Sequence, residues 1–309
     1  MLSRVASNLY WMSRYLERAE NMARILDVGA SLALLSGRGD EQSAIEPLVI
    51  TDTLEAFNAT NRPRSSDAVA RFLAWDSSHP SSIVNCLQAC RENARSVRGS
   101  ITSEMWENIN DTWLQVSAKR HLEPTDAAFF DWIKERSHLF RGVTYATVRR
   151  DQPYLFIRLG TFLERADNTA RILSVKHARM EDSDHTDDQR LADHYKLSAV
   201  LRSVSALEAY RDTYRDAIDA HRVAQLLIFD PTLPRSLRFC FDEVQLILAE
   251  MPQTQARAAR RLAAHIVALL KHGELEDVYG VGLDAFLERF LRNNVRLGES
   301  LQAAYMEIK

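Results

Sequence analysis

The chain has 309 residues, is 46% hydrophobic and 26% charged, and carries a formal charge of −3, ordinary values for a soluble globular protein long enough to bury a large core. No basic surplus marks it for nucleic acid or an anionic membrane surface, and no run of about 18 apolar residues marks a membrane span. Ten glycines and eight prolines are too few to punctuate a strand-rich fold, so long helices are expected.

Arg4, Arg14, Glu17 and Arg18 interrupt the first residues, leaving no signal-peptide core. In chain order, Leu2, Val5, Leu9, Met12, Leu16, Ala19, Ala23 and Leu26 recur in steps of three and four, an apolar stripe on one helix face. This first helix is predicted from Ser3 to about Ser36, stopping at Gly37-Arg38-Gly39-Asp40. A second covers 42–59, followed by a loop at 61–66. Asp67 is expected to cap a short helix ending near Trp75. After a turn at Asp76-Ser77-Ser78-His79-Pro80 a helix runs to about Arg98, another covers 102–120, and Glu123-Pro124-Thr125-Asp126 opens the next, which ends near Val148. A long helix is predicted from Pro153 to Met180, then an acidic loop over 181–188, then helices over 189–214, 216–229, 234–250, 253–271 and 283–307. No segment alternates in the manner of a strand, so no sheet is expected.

The three cysteines, Cys86, Cys90 and Cys240, are too few and odd in number for a disulfide framework and point to a reducing cytoplasm. Cys86 and Cys90 stand at i, i+4, but no His or Cys pair follows at finger spacing, so they read as small buried apolar groups.

Self-comparison exposes an internal repeat. Residues 14–26 (RYLERAENMARIL) match 161–173 (TFLERADNTARIL) at nine of thirteen positions. LEAF at 54–57 matches LEAY at 207–210, and 73–87 matches 227–241, each in the same order along the chain. The expectation is an all-α multi-helix bundle built from two pseudo-symmetric repeats, 1–147 and 148–309, packed as one fused helical body around a pseudo-two-fold axis.

At about 100° per residue, Leu9, Leu16 and Ala23 centre the buried face of the first helix. Glu20 falls on that face, with Ser13, Glu17 and Arg24 along its edge. In the second copy Asp167 replaces Glu20, and Gly160, Glu164 and Arg171 take the other places. Arg18 and Arg165 point to a different face, and Asn21 and Asn168 lie beyond the acids. Buried charges must be paired and hydrogen-bonded, and the arginine fork can bridge two carboxylates. Two readings follow: Glu17, Glu20 and Arg24 cross to Glu164, Asp167 and Arg171 and lock helix register, or the same groups line a polar cavity for an amine, an amino acid or a peptide end.

A second polar patch is asymmetric. Arg91, Glu92, Asn93 and Arg95 precede Glu104-Met105-Trp106-Glu107, whereas the counterpart near Gln245–Ala249 is apolar. Arg91 and Arg95, at i, i+4, have the spacing to grip a carboxylate or phosphate; the alternative is an exposed charged helix face. Glu135-x-x-His138 is a single E-x-x-H, where a di-iron bundle needs two. His185 and His194 flank the acidic loop without further ligands. No nucleotide-binding, hydrolase or zinc-protease motif is present, and Arg257, Arg260 and Arg261 are too small a cluster for nucleic acid. No metal and no cofactor is expected.

The paired LERAENMARIL and LERADNTARIL, with Asp76-x-x-His79-Pro80-x-Ser82, CLQACRENARSVR and EMWENIN, resemble the bacterial alpha-E domain family over nearly the whole chain. The motif residues are Glu17-Arg18 and Glu164-Arg165, with Asn21, Arg24, Asn168 and Arg171 beside them; His79 stands where asparagine is more usual. The resemblance implies an all-helical domain encoded beside, or fused to, circularly permuted ATP-grasp enzymes, with transglutaminase-like cysteine proteases as neighbours. It therefore implies a component of a peptide-forming or peptide-modifying system. Three functions are weighed: a non-catalytic partner that docks an ATP-grasp ligase or presents its substrate, an enzyme acting on the amide product through the Glu-Arg groups, and a structural or homo-oligomeric scaffold.

Overall fold

In a computed structural model that describes residues 1–35, 41–178, 187–252 and 256–307, the chain is all-helical, with fifteen α-helices, one 3-10 turn and no strand among the described residues. The helices are α1 (Ser3–Leu35), α2 (Glu41–Ile50), α3 (Leu54–Asn58), α4 (Ser66–Trp75), α5 (Ile83–Ser96), α6 (Ser103–Ala118), α7 (Ala127–Thr147), α8 (Gln152–Ala178), α9 (Asp187–Ser203), α10 (Leu207–Tyr214), α11 (Ala220–Phe229), α12 (Leu237–Glu250), α13 (Arg257–His272), α14 (Leu275–Val281) and α15 (Leu283–Tyr305).

Five helix starts follow caps written in the sequence. Ser82, Thr102, Asp126, Asp219 and Ser236 each accept a hydrogen bond from the backbone N–H three residues on, satisfying a donor the helix leaves open. Where the prediction differs, the cause is local. Ser65, not Asp67, caps α4 by accepting from Ala68 N, and Asp67 instead pairs with Arg71 one turn on. The helix expected over 42–59 breaks because Asp52 takes a left-handed φ of 56°, and the one expected over 189–214 breaks at Ser205, φ 52°. Arg215, φ 51°, closes α10, so the next helix starts at Ala220 rather than 216. The short α14, unforeseen, is held by reciprocal capping between Glu274 and Asp277. The expected stop at Gly37–Asp40 and the acidic loop through residue 186, with His185, lie outside the described residues.

The chain divides into two compact units, Met1–Glu164 with Tyr305–Lys309, and Arg165–Ala304. In the first, α1 packs on α5 and α7, and Leu9, Met12, Leu16, Ala19, Ala23, Ile83, Cys86, Phe130 and Phe140 are buried. Gly160 of α8 lies against α1: a Cβ there would stand 2.2 Å from Ser13 Oγ and 2.4 Å from the Tyr10 carbonyl. In the second, α12 packs on α11 and α13, and Phe241 meets Phe290 edge-on at 5.2 Å.

Within the first unit, Asp76 Oδ1 accepts from Ser78 N and Oγ, Ser82 N donates to the His79 carbonyl, and Cys86 N donates to the Ser82 carbonyl. Within the second, Asp230 Oδ1 accepts from Thr232 N and Oγ1, Ser236 N donates to the Leu233 carbonyl, and Cys240 N donates to the Ser236 carbonyl. The breaks before α3 and α10 match as well: Thr53 N donates to the Leu48 carbonyl and Ala206 N to the Leu201 carbonyl. Helices α4 and α11 both have ten residues, α5 and α12 fourteen, α6 and α13 sixteen.

Candidate functional site

The stripe on α1 is buried. From Ala19 to Leu26 every residue is buried, and Glu17 and Glu20 are 2% and 0% exposed. Their charges meet α7. Arg141 Nη1 donates to Glu17 Oε2 at 3.0 Å and to Glu20 Oε2. Ser137 Oγ donates to Glu20 Oε2 at 2.7 Å, and Arg24 Nε donates to Glu20 Oε1 at 2.9 Å. Arg24 Nη2 also lies 3.2 Å from His138 Nε2, at the solvent edge of the cluster. One turn further along α1, Lys134 of α7 donates to Asp27 at 2.8 Å. A ladder of ionic groups thus fixes α7 against α1. Arg141 and Ser137 escape a reading of α1 alone, because nothing in the local spacing of α7 ties them to acids more than 100 residues earlier. The Glu135-x-x-His138 pair divides: His138 edges this ladder and Glu135 is exposed.

A second cluster surrounds Glu164, on the part of α8 that belongs to the first unit. Arg18 Nε donates to Glu164 Oε1 at 2.6 Å and Arg18 Nη2 to Oε2 at 3.0 Å. Arg14 Nε donates to Oε2 at 2.7 Å, and its Nη1 donates to the Tyr10 hydroxyl at 2.9 Å. The face to which Arg18 points is therefore an ionic seam of its own. Burial by itself would raise the Glu164 carboxyl, but Arg18 and then Arg14 outweigh it and hold it at about 2. Glu164 in turn pushes the Arg18 guanidinium further up. Arg14 was missed from the sequence; its signal is its place one turn from both Tyr10 and Arg18.

In the second unit, Arg171 Nε donates to Asp167 Oδ2 at 2.7 Å, and Asn294 of α15 reaches Asp167 Oδ1 at 3.4 Å. Arg165 donates to the Pro234 carbonyl at 3.3 Å and Thr169 to the Arg235 carbonyl at 2.8 Å, tying α8 to the turn before α12. Arg18 makes the corresponding link in the first unit, donating to Ser81 Oγ before α5 at 3.3 Å. Asn21 and Asn168 are buried at 3% and 8% exposure, and Asn168 Nδ2 has no hydrogen-bond partner among the described residues.

The asymmetric patch closes on itself. Arg91 Nη1 and Arg95 Nε both donate to Glu92, at 2.8 and 2.9 Å, and Arg91 Nε donates to Asn110 Oδ1 at 2.8 Å. Asn93 donates back to the Ala89 carbonyl at 2.7 Å. The i, i+4 arginines do grip a carboxylate, and it is their own neighbour's.

Chemically, Glu164 is held ionised by Arg18 and Arg14, and Glu17 and Glu20 accept hydrogen bonds from the Arg141 guanidinium. A general acid or base must exchange a proton near neutral pH with solvent or substrate. Glu17, Glu20 and Glu164 are sealed and each carries at least one guanidinium, an arrangement that orients helices. Cys86 and Cys90 are equally withdrawn; burial pushes the Cys86 thiol up to about 12 and raises Cys90 as well. Among the described residues no three His, Cys, Asp or Glu side chains converge to hold a metal ion, and no helix is long and apolar enough to cross a membrane.

The fold and the seam define a class, an all-helical domain whose two longest helices carry inward-turned Glu-Arg pairs. The chain belongs to the Alpha-E family, described as a predicted alpha-helical domain with a conserved ER motif, which it matches over residues 1–306. An uncharacterized protein of Mycobacterium bovis and one of Mycobacterium tuberculosis are each 24% identical to it over 318 residues, covering 93% of this chain and 35% of the relative. The chain thus spans about a third of the length of these relatives. No solved structure matches it.

Proposed function

We propose that this protein is a non-catalytic helical partner of an ATP-grasp carboxylate–amine ligase in a peptide-forming or peptide-modifying system, docking the ligase or presenting its substrate, with a transglutaminase-like protease as a further associate. The observation that carries this reading is the state of the Glu-Arg carboxylates. They are buried and held by arginines, which suits a motif that fixes helix register in a rigid docking body and does not suit acid–base work. Relatives about three times as long, in which the domain is one part of a larger chain, fit a module that works beside another. Mixing the purified chain with the ATP-grasp ligase encoded beside it should give a stable complex by size-exclusion chromatography and change ligase turnover. No complex and unchanged turnover reject the proposal.

The same reading takes the chain as a duplicated helical unit, α1–α7 and α8–α15, with α14 added in the second copy. The paired turns at Asp76 and Asp230, the paired breaks at Asp52 and Ser205, and the equal helix lengths support it. An experimental structure in which α2–α6 and α9–α13 fail to superpose rejects it.

A further inference from the structure

At one end of the first unit α5 and α7 finish while α6 and α8 begin, and the hydroxyls of Thr102 and Thr147, 2.9 Å apart, pin the α6 start to the α7 end. Arg98 lies just before this joint, and Arg149 and Arg150 just after it; all three are exposed. Arg98 sits over the Trp106 ring at 5.1 Å, with Arg91 over the same ring at 5.8 Å. Arg150 sits over Tyr145 at 4.4 Å and over Tyr154 at 4.7 Å. Tyr145 is 69% exposed. Among the described residues neither Arg98 nor Arg150 has a carboxylate within 4.0 Å, and Arg149 reaches Asp151 only at 4.0 Å. The other exposed acids on these helix ends are Glu104 and Glu107 of α6. Elsewhere in the first unit exposed arginines such as Arg64, Arg71 and Arg95 already hold acids.

We propose that this end of the bundle, built on Arg98, Arg149 and Arg150 with Trp106 and Tyr145, is the docking surface for an acidic face of a protein partner. Guanidiniums steadied on rings and lacking carboxylates are preorganised to take carboxylates as bidentate partners. Arg, Trp and Tyr are also the residue types on which protein–protein binding energy concentrates. A nucleic acid fits less well. Its bases need open ring faces to stack on, and of the three rings Tyr145 alone is well exposed, whereas Arg91 and Arg98 lie over Trp106 and Arg150 over Tyr154. Where the proposed duplication aligns Asp76 with Asp230, Arg91, Arg95 and Arg98 correspond to Gln245, Ala249 and Pro252, while the α13 start places Arg257 and Arg261 at that end of the second copy. Taking the partner to be the ligase rests on the function proposed above.

The test is titration of the full chain, fluorescently labelled, with a glutamate-rich peptide and separately with duplex DNA of matched charge. The wild type should bind the peptide more tightly than the DNA. The Arg98→Glu/Arg150→Glu double variant, which melts like the wild type, should lose ~10-fold or more in affinity, with a loss that shrinks as salt is raised. Arg261→Glu, an exposed charge reversal in the second unit, should bind as the wild type does. Absent peptide binding, unchanged binding by the double variant, an equal loss in Arg261→Glu, or tighter binding of DNA overturns the proposal. The purified ligase is titrated in parallel. If it fails to bind while the peptide binds through this face, the ligase partnership falls and the docking surface stands. If it binds and the peptide arm fails, the reverse holds.

Discussion

Arg18, the arginine of the first Glu-Arg pair, is bound to Glu164, the glutamate of the second, by two hydrogen bonds of 2.6 and 3.0 Å. Arg14 completes the cluster from one turn away, so one buried carboxylate satisfies two guanidiniums and fixes α8 against α1.

Replacing Glu164 by Gln keeps the shape and removes the charge. Arg14 and Arg18 then face a neutral amide in a site where the carboxylate side chain is 7% exposed. Breaking a buried pair from one side costs about 3–5 kcal/mol; both arginines retain some access to water, so a loss of about 2–4 kcal/mol is expected. Urea unfolding measures it. A change under about 1 kcal/mol would show that the cluster contributes little to register.

Glu164 and His79 together give an acid limb to stability. The folded Glu164 carboxyl sits at about 2, below the ordinary value of about 4.3, so its contribution is complete above pH ~4.3 and is lost as the pH falls towards 2. His79 is buried on the Phe72 ring, and burial lowers its pKa. Below its ordinary value of about 6.5 the unfolded chain takes up a proton that the folded imidazole resists, so this contribution fades at milder acidity. Denaturation midpoints at pH 7.5 and 5.5 should therefore differ in the wild type and differ less in His79→Asn. Equal pH dependence in both would remove His79 from the account.

Gly160 sets how closely α8 approaches α1. Gly160→Ala places a methyl against the Tyr10 backbone, which cannot rotate away. It should cost about 3 kcal/mol or more, at the upper end of overpacking penalties. Gly142, exposed in α7 with open space around its missing Cβ, provides the contrast: Gly142→Ala should stabilise by about 0.5–1 kcal/mol. Thermal unfolding of the pair tests both signs.

The three cysteines form no disulfide and are buried, and burial raises Cys86 and Cys90. A thiol reagent at pH 8 should modify none of them in the native chain and all three in denaturant, because the thiolate is the reactive form. Rapid labelling of the native protein would indicate that the α5 region opens.

Particular residues show how much was legible beforehand. The step-of-three-and-four spacing from Leu2 to Leu26 marked the buried face of α1, and the expected starts at 102 and within Glu123–Asp126 coincide with the caps Thr102 and Asp126. The same wheel put Glu17, Glu20 and Arg24 on the buried side, where they lie. Asp67 misled because a cap depends on which side chain reaches the open N–H, and Ser65, two residues earlier, reaches it. Asp52 and Ser205 broke helices without a glycine to announce it, since a left-handed φ at such residues is supported by surrounding packing.

Helical periodicity, capping chemistry and the inward aim of the Glu-Arg charges were properties of the sequence by itself, because each depends on residues within a turn or two of one another. Which charge meets which was settled by tertiary structure. Arg141 serving Glu17 and Glu20, and Arg14 and Arg18 sharing Glu164, depend on which helices touch and at what offset. That offset follows from volume, as at Gly160 against Tyr10 and Ser13, and a helix wheel holds no information about the surface of a helix more than 100 residues away.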